Sequence, residues 1–187
     1  WPSAGGGAAH AINGSNGTIG GTGATQTGAC TDMALAGGQG GLAYGVADLS
    51  KIYFGSGSGA GGGAGSCSGH TAQAGNNGAG ILILIADTIN IGGIVYCNGK
   101  NAANNGADRA VAGGSAGGSV LLKAKTSFTN TGQVQVAGGN GVCGSYGCVG
   151  GTSGDGRSGD GSYGRIAVYS PIRTIGTMTV SPYESST

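Results

Sequence analysis

The stretch Gly118-Ser119-Val120-Leu121-Leu122-Lys123-Ala124, followed after 125–131 by Gly132-Gln133-Val134-Gln135-Val136-Ala137-Gly138-Gly139, decides the fold. In Gln133-Val134-Gln135-Val136 the valines face one way and the glutamines the other, the period of a strand with one buried and one wet face. The same plan stands on either side of it. Upstream, Gly80-Ile81-Leu82-Ile83-Leu84-Ile85-Ala86 leads through 87–92 into Gly93-Ile94-Val95-Tyr96-Cys97-Asn98-Gly99. Downstream, Gly164-Arg165-Ile166-Ala167-Val168-Tyr169-Ser170 leads through 171–175 into Gly176-Thr177-Met178-Thr179-Val180. Each repeat opens on Gly, carries a β-branched strand, crosses a short turn region and restarts on Gly before a second strand. Residues 81–85 are apolar at every position, which predicts a strand covered on both faces. The Asn, Thr and Gly between strands predict hairpins or corners.

Outward from these repeats lie glycine blocks at 5–23, 37–41, 55–80, 113–118 and 138–164. The chain has 187 residues, 47 of them Gly, and 8% are charged. Glycine loses more backbone entropy on folding than any other residue, and so much of it often means disorder. Disordered chains, however, are rich in charge and poor in Ile and Val, and this one is the reverse. Collagen requires Gly at every third position with abundant Pro, and three prolines exclude it. Several blocks exceed the length of an ordinary loop. Extended glycine strands of three residues per turn have no internal hydrogen bonds and no Cβ, so they pair their peptide groups by packing side by side. The fold expected is therefore all-β: short-strand repeats, sandwich or solenoid-like, with packed, polyglycine-II-like segments. Ordinary β-solenoid turns and mobile loops are the alternatives for the blocks. The whole of 1–187 reads as one elongated domain, with 1–79 a glycine-rich N-terminal part and 80–187 the three strand repeats.

The net charge is +1 with no basic cluster, so the electrostatic footprint of nucleic-acid binding is absent. The longest apolar run falls far short of the roughly 20 residues of a membrane helix, and no membrane insertion is expected. Five cysteines occur, none with zinc spacing. Cys143 and Cys148 flank Gly144-Ser145-Tyr146-Gly147, a loop that a disulfide would close, and the remaining Cys30, Cys67 and Cys97 leave one odd thiol.

Little here is suited to catalysis. Gly113-Gly114-Ser115-Ala116-Gly117 matches the pattern of a hydrolase nucleophile elbow, but a strand follows the serine where a helix is required, and both His10 and His70 precede it. The histidines read as polar residues at turns. Ser153-Gly154-Asp155-Gly156 and Ser158-Gly159-Asp160-Gly161 resemble calcium turns, yet two aspartates offer few of the six or more oxygens a hard cation takes, and Arg157 stands between them. No enzyme activity, cofactor or metal is expected. Asn13-Gly14-Ser15 and Asn16-Gly17-Thr18 are successive glycosylation sequons. Tyr44, Tyr53, Tyr146 and Tyr163 sit near glycine blocks, either as adaptable contact surfaces or as caps on a small core.

The segment Gly45-Val46-Ala47-Asp48-Leu49-Ser50-Lys51-Ile52-Tyr53-Phe54-Gly55-Ser56-Gly57 precedes a glycine run. The strand repeats follow, and then Gly161-Ser162-Tyr163-Gly164-Arg165-Ile166-Ala167-Val168-Tyr169. Over about residues 37–170 this order resembles glycine-rich extracellular β-repeat surface and fibre proteins of bacteria and phages. More loosely, the blocks are similar to polyglycine-II-containing phage tail-fibre adhesins. The resemblance implies a surface or fibre location without catalysis, and it supplies no site residues.

The expectation is then an extracellular structural subunit of a filament or surface assembly that pairs with copies of itself through strand edges. The candidate assembly strands are Ile81, Ile83 and Ile85 in the first repeat and Met178 and Val180 in the last. The alternative is a receptor-binding fibre-tip adhesin that reads a surface glycan or protein through loops 101–112 and 143–161. Thr177 and Thr179 are too few for the flat threonine array of an ice-binding face.

Overall fold

The computed structural model describes residues 4–18, 37–62, 73–103, 111–144 and 156–186. Among them there is no helix. The strands are β1 (Ile81–Ile91), β2 (Ile94–Tyr96), β3 (Ser119–Asn130), β4 (Gln133–Gln135), β5 (Arg165–Tyr169), β6 (Ile172–Thr174), β7 (Thr177–Met178) and β8 (Tyr183–Ser185). One sheet has the order β1-β3-β5-β8, with β6 pairing farther along β3; the other has the order β2-β4-β7. Every pairing of these strands is parallel. The chain runs out along the first sheet, turns, and returns along the second, so successive passes stack in the same direction.

Two local expectations are corrected by this geometry. No hairpin joins the strands, because the two strands of each pass lie in different sheets; only the corner half of that reading survives. Residues 87–91 and 125–130, read as turns, continue β1 and β3, with a register shift between Ala86 and Thr88 where β3 carries an extra residue. Polar outward residues such as Lys125 and Thr126 belong to a strand whose other face is buried, not to a turn. The turns themselves are short, at Gly92-Gly93 and Thr131-Gly132. Pro171, which lacks the backbone N–H, falls in the break between β5 and β6.

The core is one layer between the sheets. Val120, Leu122, Ala124 and Phe128 alternate inward along β3, with Ile166 and Val168 from β5, Ile89 and Ile91 from β1, and Val134 and Val136 from the second sheet. The outer face of β3 and β5 is covered by residues 44–54. There Ser119 Oγ donates to Tyr53 O at 2.7 Å, Tyr169 OH donates to Asp48 O, and Arg165 Nη2 donates to Tyr44 O at 2.9 Å. Leu49 is buried in this cover with φ 52°, a left-handed conformation a branched side chain seldom adopts.

Below the sheets, the segments outside the strands bond to one another at intervals of three residues. Gly38, Gly41 and Tyr44 donate to Ala4 O, Gly7 O and His10 O; Gly55, Ser58 and Gly61 donate to Ala79 O, Asn76 O and Gln73 O. Segment 111–118 bonds in six directions: to Gly5 and Ala8, to Ser56 and Gly59, to Ala79, to Cys97 and Lys100, to Gly139, and to Gly159 and Ser162. All of its residues are buried, as are those of 4–10. At glycines that face a neighbouring segment, this spacing excludes a side chain. A Cβ on Gly114 would lie far inside van der Waals contact with Gly139 O and 3.0 Å from Gly161 N, and one on Gly117 would meet Val136 O and, at 2.7 Å, Gly164 N.

Candidate assembly interface

β1 borders its sheet on one side only, and β2 holds the same position in the second sheet. The open side of an edge strand presents unpaired N–H and C=O groups, which proteins ordinarily protect with lysines, prolines or a short strand length. β1 has eleven residues, Ile81–Ile91, and carries neither Lys nor Pro. Ile83 is 48%, Leu84 36% and Ile85 70% exposed, and Ile94 and Tyr96 of β2 are exposed beside them. This corrects the expectation that 81–85 is covered on both faces: the run is apolar throughout, yet one edge and much of its outer face meet solvent. Where the two edges approach the bundle, a groove of about 460 Å³ is lined by Ala79, Gly80, Ile81, Leu82, Tyr96, Cys97 and Asn98.

The opposite border is β5 with β8, and β7 in the second sheet. β8 pairs Tyr183, Glu184 and Ser185 with Ala167, Val168 and Tyr169. Arg173 holds it down: Nε lies 3.1 Å from Glu184 Oε2, and Nη1 donates to Ser185 O at 2.7 Å. Ser170 N donates to the same carbonyl at 2.9 Å, and the Tyr169 and Tyr183 rings meet at 5.9 Å. Before β8 begins, a cavity of about 430 Å³ opens beside β5, lined by Tyr163, Arg165, Thr179, Ser181 and Tyr183 among others. Of the sequence candidates at this border, Met178 ends β7, while Val180 lies beyond it and is half-buried against the core. The expected strand 177–180 is therefore cut to Thr177–Met178.

Sheets and glycine segments meet at His10, which lies in a bend over 10–12, as read, and is fully buried there. Its Nδ1 lies 2.9 Å from Gly117 O, which only accepts, so Nδ1 carries the proton. Nε2 then faces Ser119 Oγ at 3.4 Å, and the ring stacks on Tyr44 at 5.1 Å. Burial pushes the imidazole below its ordinary pKa; the Gly117 carbonyl opposes this in part, and Arg165 adds repulsion. Tyr44 in turn packs edge-on against Tyr53, which is 42% exposed.

No protein-family model, curated protein or solved structure matches the chain.

The other residues singled out in the sequence fall as follows. Ser115 is buried and its Oγ accepts from Lys100 N at 2.7 Å, a joint between two backbone segments. Asp160 is held below the usual carboxylate range, first by the guanidinium of Arg157 2.7 Å away; Gly141 N also donates to it. Its partner in the calcium reading, Asp155, lies outside the described residues, as do His70, Tyr146, Cys30, Cys67 and Cys148. Among the described residues no group of His, Cys, Asp and Glu is arranged to hold a metal, and no helix is long and apolar enough to cross a membrane. Cys143 stands in an antiparallel bridge with Arg157. Cys97 is a free, half-buried thiol whose pKa burial raises. Asn13 and Asn16 are exposed, and their Oδ1 atoms accept from Ala43 N and Gly40 N, both at 2.7 Å.

Proposed function

We propose that this protein is a structural subunit of an extracellular filament or surface assembly, joined head to tail by its two open sheet borders. The observation that carries the reading is β1: a long edge strand without Lys or Pro, apolar from Ile81 to Ala86 before Asp87, with the edge of β2 in the same position of the second sheet. The opposite borders run parallel to these, so the edge of one copy and the far border of the next are different surfaces. A heterologous contact of that kind repeats without closing and gives a fibre. Burying the exposed parts of Ile83, Leu84 and Ile85 supplies on the order of 3 kcal/mol, and five or six strand hydrogen bonds supply roughly as much again. Freezing a free subunit costs about 4–15 kcal/mol. One sheet alone is thus marginal, and growth needs both sheets and a high subunit concentration.

We further propose that the segments below the sheets form a polyglycine-II-like bundle, the rigid body that orients the two borders. The three-residue bonding interval and the bonding of 111–118 in six directions support it. The likeness to glycine-rich surface and fibre proteins, a Cys143–Cys148 bridge and glycans at Asn13 or Asn16 remain proposals of this reading.

A second reading, the fibre-tip adhesin, is favoured by one observation. The bond directions put 18, 37, 62, 73, 103, 111, 144 and 156 together at the bundle end away from the sheets. Loop 101–112 of that reading therefore begins and ends near this tip, as does the part 144–156 of loop 143–161. Electron microscopy of the purified protein separates the two. Long polymers support the filament, whereas discrete particles that bind cells support the adhesin and end the filament reading.

A further inference from the structure

The register of the first sheet places β8 on the same rungs as the exposed part of β1. One rung runs Ile83, Leu121, Ala167, Tyr183; the next Leu84, Leu122, Val168, Glu184; the third Ile85, Lys123, Tyr169, Ser185. If the pairing Ile81↔Ser119↔Arg165 is carried one copy further, the next subunit's Ile83, Leu84 and Ile85 fall beside Ala167, Val168 and Tyr169. Those are the positions β8 fills. The three exposed large apolar residues of β1 are thus matched, one for one, to the three rungs closed by Tyr183, Glu184 and Ser185.

We infer that β8 is a built-in cap on the β5 border, and that a second copy's β1 takes its place, in that register, when it lifts. This rests on the head-to-tail reading above. β8 is suited to temporary occupancy. It has three residues, it is polar and charged as edge-protecting strands are, and Tyr183 and Glu184 are exposed. Glu184 occupies a rung on which Leu122 and Val168 are buried in the core, so the exposed Leu84 of an incoming copy is the better occupant. The cap is fastened from outside the ladder as well, by Arg173 on Glu184 and on Ser185 O. Beside it the cavity at Tyr163, Arg165 and Ser181 leaves the border open ahead of β8, level with the groove at Gly80 and Ile81 on the opposite border. An incoming β1 finds purchase there first and then zips along β5 as β8 peels away.

The test uses the full chain with Arg173→Ala and, separately, Ser185→Pro: Ser185 O accepts from Ser170 N, so the Ser185 N–H faces the same β5 edge, and proline removes it. Circular dichroism and amide exchange of β3 verify folding of each. Growth is followed by light scattering at matched concentration, and exchange at 183–185 is compared in monomer and polymer. The cap predicts that both variants shorten the wild-type lag, by about tenfold for a loosened ion pair and one or two hydrogen bonds. It also predicts that 183–185 is protected in the monomer and open in the polymer. Wild type and variants growing with equal lags, or protection of 183–185 retained in the polymer, overturns the cap and leaves the filament standing. Failure of all three proteins to polymerise overturns both.

Discussion

The centre of the bundle gives the most demanding test, because there a single methyl group decides between two accounts of the glycines. Gly114 N donates to Gly159 O at 2.9 Å and its carbonyl accepts from Ala8 N at 3.0 Å. In Gly114→Ala the new Cβ collides with Gly139 O and Gly161 N, both backbone atoms of packed segments that have no rotamer to yield. Overpacking of this kind costs about 1–3 kcal/mol. Relaxing it by moving segment 111–118 lengthens one or both hydrogen bonds at about 1 kcal/mol each, while the stiffer unfolded chain returns up to about 1 kcal/mol. The net loss is roughly 2–4 kcal/mol, a large part of the roughly 5–15 kcal/mol that holds a domain together. For a chain of this size it lowers Tm by about 6–12 °C. The control is Gly92→Ala, at a turn where a Cβ would meet nothing within 4 Å; it is expected to be neutral or stabilising by up to about 1 kcal/mol. Urea and thermal melts of both variants measure the difference. If Gly114→Ala lies within about 0.5 kcal/mol of wild type, the range of an ordinary surface change, the glycine segments are not tightly packed and the bundle reading fails.

Further outcomes are expected. Ile83→Lys together with Ile85→Lys, both on the exposed face of β1, should leave the circular dichroism unchanged and abolish sedimenting polymer; polymers that persist would remove β1 from the contact. Amide exchange at 113–118 should be as slow as in β3, since both are fully bonded, and fast exchange there would contradict the six-way bonding. His10 is neutral in the fold with its pKa below 6.5, so the unfolded chain takes up a proton first. Stability measured by urea midpoints should therefore hold above about pH 6.5, decline as pH falls below it, and level off under the depressed folded value. His10→Gln should flatten that slope. Asp160, depressed from 3.8, adds a contribution that is present above that value and lost as pH falls through the lower folded one; Asp160→Asn should remove it.

The strands were legible where alternation and β-branching coincide, as in Gln133-Val134-Gln135-Val136 and at 81–85, 119–124 and 165–169. Their lengths were not, because the outward residues of a half-buried strand, such as Asp87, Lys125 and Thr129, have the composition of turns. The burial of 81–85 was misjudged for a related reason: an unbroken apolar run signals two covered faces inside a sheet, and nothing local says that a strand lies at its border. That is a fact of strand order, fixed by the whole chain. The role of 4–18 was also hidden, though a trace of it exists in Gly5, Ala8, Ala11, Gly14 and Gly17, small residues at intervals of three. His10 falls outside that series, and its burial depends on partners at Gly117 and Ser119, more than a hundred residues away.

The bundle has a thermodynamic consequence as well. Unfolding it exposes mainly peptide groups, with little hydrocarbon, and these lower the heat capacity increment that apolar surface raises. The increment per residue should lie below the ordinary ~12–15 cal/mol/K, giving a shallow, broad stability curve. A protein so built loses little on chilling, when hydrophobic cores weaken, and it gives way gradually on warming.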